Sequence, residues 1–405
     1  MARTPPASLR LAGVLDDSGT FIPEGNSVTF DLILKGGRVV DPSQNLDSVT
    51  DVAFADGKVA QIGGGLAGAK AVRYVKGRIV TPGLIDIHTH VYWGGTSLGI
   101  DPVALAKRSA VTTVIDAGSA GAGNFHGFRK HIIEPSPIRI LAYLNISYPG
   151  IFAFSKPVMV GESTDVRLLD PNECVRVARE NDDLVVGIKV RVGGTASGPA
   201  GATPLYIALD AADAAGMPMM AHLDKLPPAR HEVLPHLRRG DVLTHCYRPF
   251  PNAPVQGDGR VRPEVLEARA RGVLFDIGHG GGSFAFRTAR EALAHGFPPD
   301  IISSDAHVLS VDGPAFDLLV TMSKMICLGM SLNDVVRCCT TAPARAMRRD
   351  ELGTLKVGSI GDASVLDLVD GEFEYVDVVE ETFAGKQRLF PAGMVVSGQW
   401  METVS

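Results

Sequence analysis

His88 and His90 stand two residues apart in the run Leu84-Ile-Asp-Ile-His-Thr-His90, directly after a Thr-Pro-Gly turn at 81–83. The run is apolar and β-branched, and it reads as a buried strand. Side chains alternate along a strand, so both imidazoles leave the same face. Two neutral nitrogens converging at a strand end make half of a metal site. The other half is spread along the chain. Lys189 interrupts the apolar run Val185-Val-Gly-Ile-Lys-Val-Arg191, His222 ends Met219-Met-Ala-His222, His245 ends Val242-Leu-Thr-His245, and Asp305 ends Ile301-Ile-Ser-Ser-Asp305. Each of these has an ordinary explanation by itself: a hydrogen-bonded core histidine, a paired buried lysine, a helix-capping aspartate. Their recurrence late in five strand-like runs is what points to one metal centre.

Lysine is the unusual member of this set. An ammonium has no lone pair and cannot ligate a cation. Burial among Val, Ile and Gly lowers the lysine pKa and favours the neutral amine. Reaction of that amine with CO2 gives a carbamate, an anion with two oxygens able to bridge two cations. Lys189 is therefore expected to be carboxylated.

The elements that must position these groups follow from the pattern. Eight strand candidates run over 84–90, 111–117, 138–147, 184–192, 218–223, 241–247, 273–279 and 301–306, with helical stretches between them. Asp170-Pro-Asn-Glu173 is a helix start, and Thr203-Pro204 opens another helix that closes near Gly216. Alternating strands and helices over about 250 residues predict a (β/α)8 TIM-type barrel over 81–350. All strands then point one way, and the six polar groups gather at the C-terminal mouth, where such barrels keep their sites. Short strands with Gly-rich turns before residue 81 and after residue 350 predict a small β-sandwich domain built from both chain ends, 1–80 plus 351–405. Residues 1–28, rich in Pro, Gly, Ser and Asp, read as a loosely packed extension.

Composition sets the outer bounds. The 405-residue chain is 45% hydrophobic and 21% charged, as ordinary globular proteins are. A net charge of −6 and the lack of a basic run exclude nucleic acid as an expected partner. Five cysteines, two of them adjacent at 338 and 339, do not form a disulfide framework and suit a reducing compartment. The N-terminus is a poor signal peptide, and no apolar stretch reaches the roughly 20 residues needed to span a bilayer. A cytoplasmic protein with no membrane partner, a small-molecule substrate and a homo-oligomeric assembly is expected.

With this ligand order the chain resembles the amidohydrolase superfamily, in its binuclear subgroup with a carboxylated lysine. The resemblance also covers Leu32-Ile-Leu-Lys-Gly-Gly-Arg-Val-Val-Asp41, Pro82-Gly-Leu-Ile-Asp-Ile-His-Thr-His90 and Gly353-Thr-Leu-Lys-Val-Gly-Ser-Ile-Gly-Asp362. It implies two divalent ions, zinc by family habit. His88 and His90 would hold the more buried ion and His222 and His245 the more exposed one. Lys189 would bridge them, and Asp305 would complete the first site. A water between two such cations ionises near neutrality, and Asp305 beside it would take the proton and hand it to the leaving group. The implied reaction is hydrolysis of an amide or ester.

Strand parity nominates substrate contacts. Arg191, Tyr247 and His307 lie two residues past a ligand position, and His279 ends the seventh strand, which supplies no ligand. Departures from the family bear on specificity. Dihydroorotases carry an arginine two residues after the second strand-one histidine, where this chain has Tyr92. The Gly94-Gly95 pair is similar to isoaspartyl dipeptidases, yet Thr96 stands where those carry an acidic residue. The pattern is most similar to bacterial deacetylase-type amidohydrolases acting on acetylated α-hydroxy acids and related acyl compounds. A cyclic amidase of the dihydroorotase or hydantoinase kind is the second reading. A non-catalytic scaffold is the third, opposed by the presence of all six ligand types.

Overall fold

The structure is a computed structural model that describes residues 30–404, together with two short strands, Gly13–Leu15 and Phe21–Pro23, that pair antiparallel. Most of the expected extension, 1–28, therefore lies outside the described residues.

The centre of the chain forms a seven-stranded parallel sheet in simple sequential order: Leu84–Thr89, Val111–Gly121, Arg139–Asn145, Val185–Val192, Met219–Leu223, Val242–Leu243 and Leu274–Phe275. Every residue of the first, second and fourth strands is buried. Such unbroken burial is what a parallel strand covered on both faces requires, and it explains why these runs show no polar alternation. The sheet curls until both edges meet one segment. Residue Ile301 bridges Asp276 of the seventh strand region, and Ala306 bridges Thr89 of the first. Backbone bonds continue the seam, with Asp305 N donating to His88 O at 2.7 Å and His90 N to Ala306 O at 3.0 Å.

The late strands are shorter than their sequence predicts. Pairing in the sixth covers only Val242–Leu243, and in the seventh only Leu274–Phe275. The backbone leaves the extended region at His245 (φ +69°), Gly278 (φ +47°) and Asp305 (φ +48°). For a non-glycine residue this left-handed conformation costs free energy and clusters at functional sites.

Helices between strands obey their sequence signals. The helix Pro171–Glu180 begins at Asp170, whose side chain accepts from Asn172 N and Glu173 N. The helix Thr203–Ala215 ends on Gly216 in the left-handed conformation.

The two ends of the described chain share one mixed sheet. Its order is Gln399–Met401, Thr382–Val396, Ala363–Val376, Ile79–Pro82, Phe30–Asp41, Leu46–Ala55 and Lys58–Gly63, with Ala69–Tyr74 also pairing Phe30–Asp41. This continuous sheet covers an apolar cluster that includes Leu34, Phe54, Val80, Val365 and Val395. After the barrel region the chain runs through one long strand, Ala363–Val376, whose register shifts between Asp370 and Phe373. Among the described residues no helix is long and apolar enough to cross a membrane.

Candidate metal centre

At the C-terminal end of the curled sheet, one small cavity of about 40 Å³ is lined by His88, His90, Leu98, Phe154, Lys189, Arg191, His222, His245, Asp305 and His307. All six expected ligand positions meet there. The strands supply His88, Lys189 and His222 directly. His90, His245 and Asp305 lie just past regular pairing, where the turned backbone aims them inward.

Three of the four imidazoles are held from behind, so the nitrogen that each turns to the cavity is defined. His88 Nδ1 lies 2.9 Å from Thr244 Oγ1, which in turn donates to Asp276 Oδ2 at 2.7 Å. His90 Nδ1 lies 3.0 Å from Ser119 Oγ, and His245 Nδ1 donates to Gly278 O at 2.7 Å. Their Nε2 atoms therefore face inward. Outer partners of this kind are what fixes ring orientation in metal sites. Asp305 Oδ1 sits 3.3 Å from His88 Nε2 and 3.2 Å from His90 Nε2, and these three side chains form a compact ligand cluster. On the other wall, His222 Nδ1 faces His245 Nε2 at 2.6 Å. A tetrahedral zinc ion with bonds of 2.0–2.1 Å holds two nitrogens about 3.3 Å apart, so these rings would separate slightly around one.

Charges in the cavity follow from its burial. Desolvation pulls His88, His222 and His245 well below the ordinary histidine value and His90 to about 3, so all four are neutral donors at pH 7. Lys189 is fully buried, and among the described residues its Nζ has as hydrogen-bond partners only His88 Nε2 at 3.5 Å and Met220 Sδ at 3.3 Å. Desolvation lowers its pKa to about 7, with Asp305 opposing. Burial thus removes most of the preference for the ammonium that a lysine has in water. Gly118 makes room for this side chain, since a Cβ there would lie 2.7 Å from Lys189 Cγ. Asp305 is raised to about 6, again by desolvation first, with His307, Lys189 and Arg191 opposing.

These groups fit a metal pair. Four neutral imidazole nitrogens, one carboxylate and one amine without a strong acceptor all converge on a single space. Because the amine loses its proton as pH rises through about 7, uptake of labelled CO2 by Lys189 should be larger at pH 8 than at pH 6. Carbon-13 NMR of protein equilibrated with labelled bicarbonate and zinc would show it. A carbamate signal independent of pH across that interval would count against the buried amine as its source.

Of the four nominated substrate contacts, two line the cavity and two do not. Arg191 is 6% exposed and donates from Nη1 to Glu162 Oε2 at 3.2 Å. Phe154 covers the guanidinium at 5.1 Å and meets the His307 ring edge-on at 5.7 Å. His307 Nδ1 accepts from Leu309 N at 3.1 Å, which leaves Nε2 for the cavity side.

Tyr247 and His279 correct the expectation. The Tyr247 hydroxyl donates to Phe297 O at 2.8 Å in the apolar layer behind the sheet. His279 is sealed against Phe284, with Lys324 Nζ 2.7 Å from its Nε2. Period-two counting fails for both because the chain leaves the extended conformation at His245 and Gly278.

Glu162 and Phe154 went unseen in the sequence. Both lie in the long loop after the third strand, and neither has a local pattern that separates it from other loop residues. Asp276 and Thr244 were missed too, although each sits in a strand candidate and Thr244 directly precedes His245.

Comparison with known proteins adds the family context. The model of the Amidohydrolase family matches residues 285–401. A deacetylase of Agrobacterium fabrum is 38% identical over 333 residues, covering 82% of this chain and 81% of the relative. A deacetylase of Enterococcus faecalis is 30% identical over 375 residues, covering 91% and 98%. Among solved structures, one described as a dihydroorotase superposes with a TM-score of 0.85 at 35% identity, covering 92% of this chain and 98% of its own.

Proposed function

Because the chain belongs to the amidohydrolase superfamily, we propose that it hydrolyses a small amide or ester, as a deacylase of acetylated α-hydroxy or amino acids. The curled sheet is taken as a (β/α)8 barrel whose eighth strand is the bridged segment at 301–306. The observation that carries the reading is the convergence of four inward imidazole nitrogens, Lys189 and Asp305 beside an arginine with free donors.

We assign His88, His90 and Asp305 to one divalent ion, His222 and His245 to a second, and carboxylated Lys189 to both, with zinc as the ion that suits this donor set. Bound there, the ions would supply Lewis acidity toward the carbonyl and lower the pKa of water. The protein supplies the rest. The Asp305 carboxylate, whose Oδ1 faces His88 and His90, takes the proton of the attacking water and returns it to the leaving oxygen or nitrogen. Phe154 and Leu98 restrict bulk water, since the cavity has room for only a few water-sized groups.

Arg191 sets the class of substrate. Glu162 holds its Nη1, while Nε and Nη2 have no partner among the described residues and are not sealed. That free edge of the guanidinium suits a carboxylate through two parallel hydrogen bonds. Arg191→Met should raise KM for an acidic acyl substrate by roughly ten- to a hundred-fold, and should change KM little for its neutral amide or ester analogue. Equal effects on both would remove Arg191 from substrate recognition.

A cyclic amidase is the second reading, favoured by the likeness to the dihydroorotase structure. Tyr92 weighs against it. This residue stands where dihydroorotases carry the substrate-binding arginine, and its ring packs on Phe128 at 4.8 Å, outside the cavity. A hydrolysis screen of zinc-loaded protein against N-acyl amino acids, acetoxy acids and cyclic ureides separates the two. Turnover of open-chain acyl compounds supports the proposal. Turnover of rings alone overturns it.

A further inference from the structure

Lys324 is a buried lysine that the chemistry above does not use, its pKa lowered to about 7 by desolvation with Asp377 opposing. It lies in the helix Leu318–Cys327, is 1% exposed, and has no carboxylate within ion-pair distance among the described residues. Its Nζ makes three bonds: to His279 Nε2 at 2.7 Å, Pro314 O at 2.8 Å and Val376 O at 2.8 Å. The rings of Phe284 and Phe286 lie 5.6 and 5.7 Å from it. One amino group thus ties the loop after the seventh strand, the loop after the eighth, and the long strand of the mixed sheet.

The bonding fixes the histidine. His279 Nδ1 lies 2.9 Å from Gly280 O and must carry the proton, which leaves the Nε2 lone pair for Lys324. The ring is stacked on Phe284 at 4.6 Å and cannot turn freely. Gly280 is the end of this chain of contacts. Its φ is +52°, its N donates to Ser304 O at 2.9 Å, and a Cβ on it would overlap Asp305 Oδ2. Glycine at 280 therefore lets the backbone lie directly against one oxygen of the Asp305 carboxylate.

We propose that Lys324, acting through His279 and Gly280, is a positioning residue for Asp305. It holds the backbone at 280 where it keeps Asp305 Oδ1 on the histidines and Oδ2 turned to the reacting water. This rests on the reading of Asp305 as the proton carrier. An amino group buried this deeply is costly unless its bonding capacity is met. Here its three bonds go to the segments that frame the carboxylate.

The test is a double-mutant comparison in the full-length, zinc-loaded protein. Lys324→Met removes the amino group at similar length. It should lower kcat roughly ten- to a hundred-fold, as a small misplacement of a reacting group does, with KM and metal content near wild type. In the Asp305→Asn background the same substitution should cost less than about two-fold, because the group it positions is already gone. Lys324→Arg should restore part of the loss. Equal losses in both backgrounds, or an unchanged kcat in folded Lys324→Met protein, overturn the proposal. Should Lys324→Met fail to fold, His279→Phe keeps the stack and removes both nitrogens, and the same comparison applies. If Asp305→Asn alone is nearly fully active, the proton-carrier reading fails first, and the two failures are distinguishable.

Discussion

Asp305→Asn should lower kcat by roughly a hundred- to ten-thousand-fold, the range that a positioned proton carrier contributes. The substitution keeps the shape and leaves a neutral oxygen facing His88 and His90, now 3.3 and 3.2 Å from Oδ1. Metal content should therefore fall little, and KM should change far less than kcat. Backbone strain argues that the position is specialised. Asp305 has φ +48°, a conformation that asparagine tolerates about as well as aspartate. Metal analysis alongside steady-state kinetics checks this. Retention of both ions with only a few-fold loss would place the proton carrier elsewhere, with His307 the remaining titratable group in the cavity.

Lys189→Ala should remove activity and metal together. The loss in metal affinity should exceed the 10–100-fold typical of an outer supporting residue, because a bridging anion is removed from both ions. The fold should survive. The wild-type ammonium is itself disfavoured in this burial, and alanine opens a space beside Gly118 that small carboxylic acids can enter. Acetate or propionate should restore part of the metal and part of the rate. Near-normal turnover with both ions retained would mean that another residue bridges them.

How much of this was legible in the sequence depends on where the backbone stays extended. His88, Lys189, Arg191 and His222 lie in or at the ends of regular strands, and alternation places each correctly. Arg191 reaches the cavity two residues beyond Lys189 for that reason. Past His245 and Gly278 the chain turns out of the strand, and the same counting misplaced Tyr247 and His279. His307 reaches the cavity by a turn after Asp305, with its N donating to Ser310 Oγ at 3.1 Å, so alternation was not what put it there. Glu162 could not be read at all, because its meaning comes from pairing with a residue 29 positions away. In the small sheet the strands were legible, but the pairing was not. Nothing local in 363–376 says that its partner is 382–396 on one side and Ile79–Pro82 on the other.

The proposed chemistry requires two ions in the cavity lined by His88, His90, Lys189, His222, His245 and Asp305. The most direct measurement is metal content per chain, by elemental analysis, of protein reconstituted with zinc and bicarbonate and freed of excess. About two equivalents are expected, the pair of divalent ions that such binuclear centres hold. A reproducible single equivalent in fully active protein would contradict it.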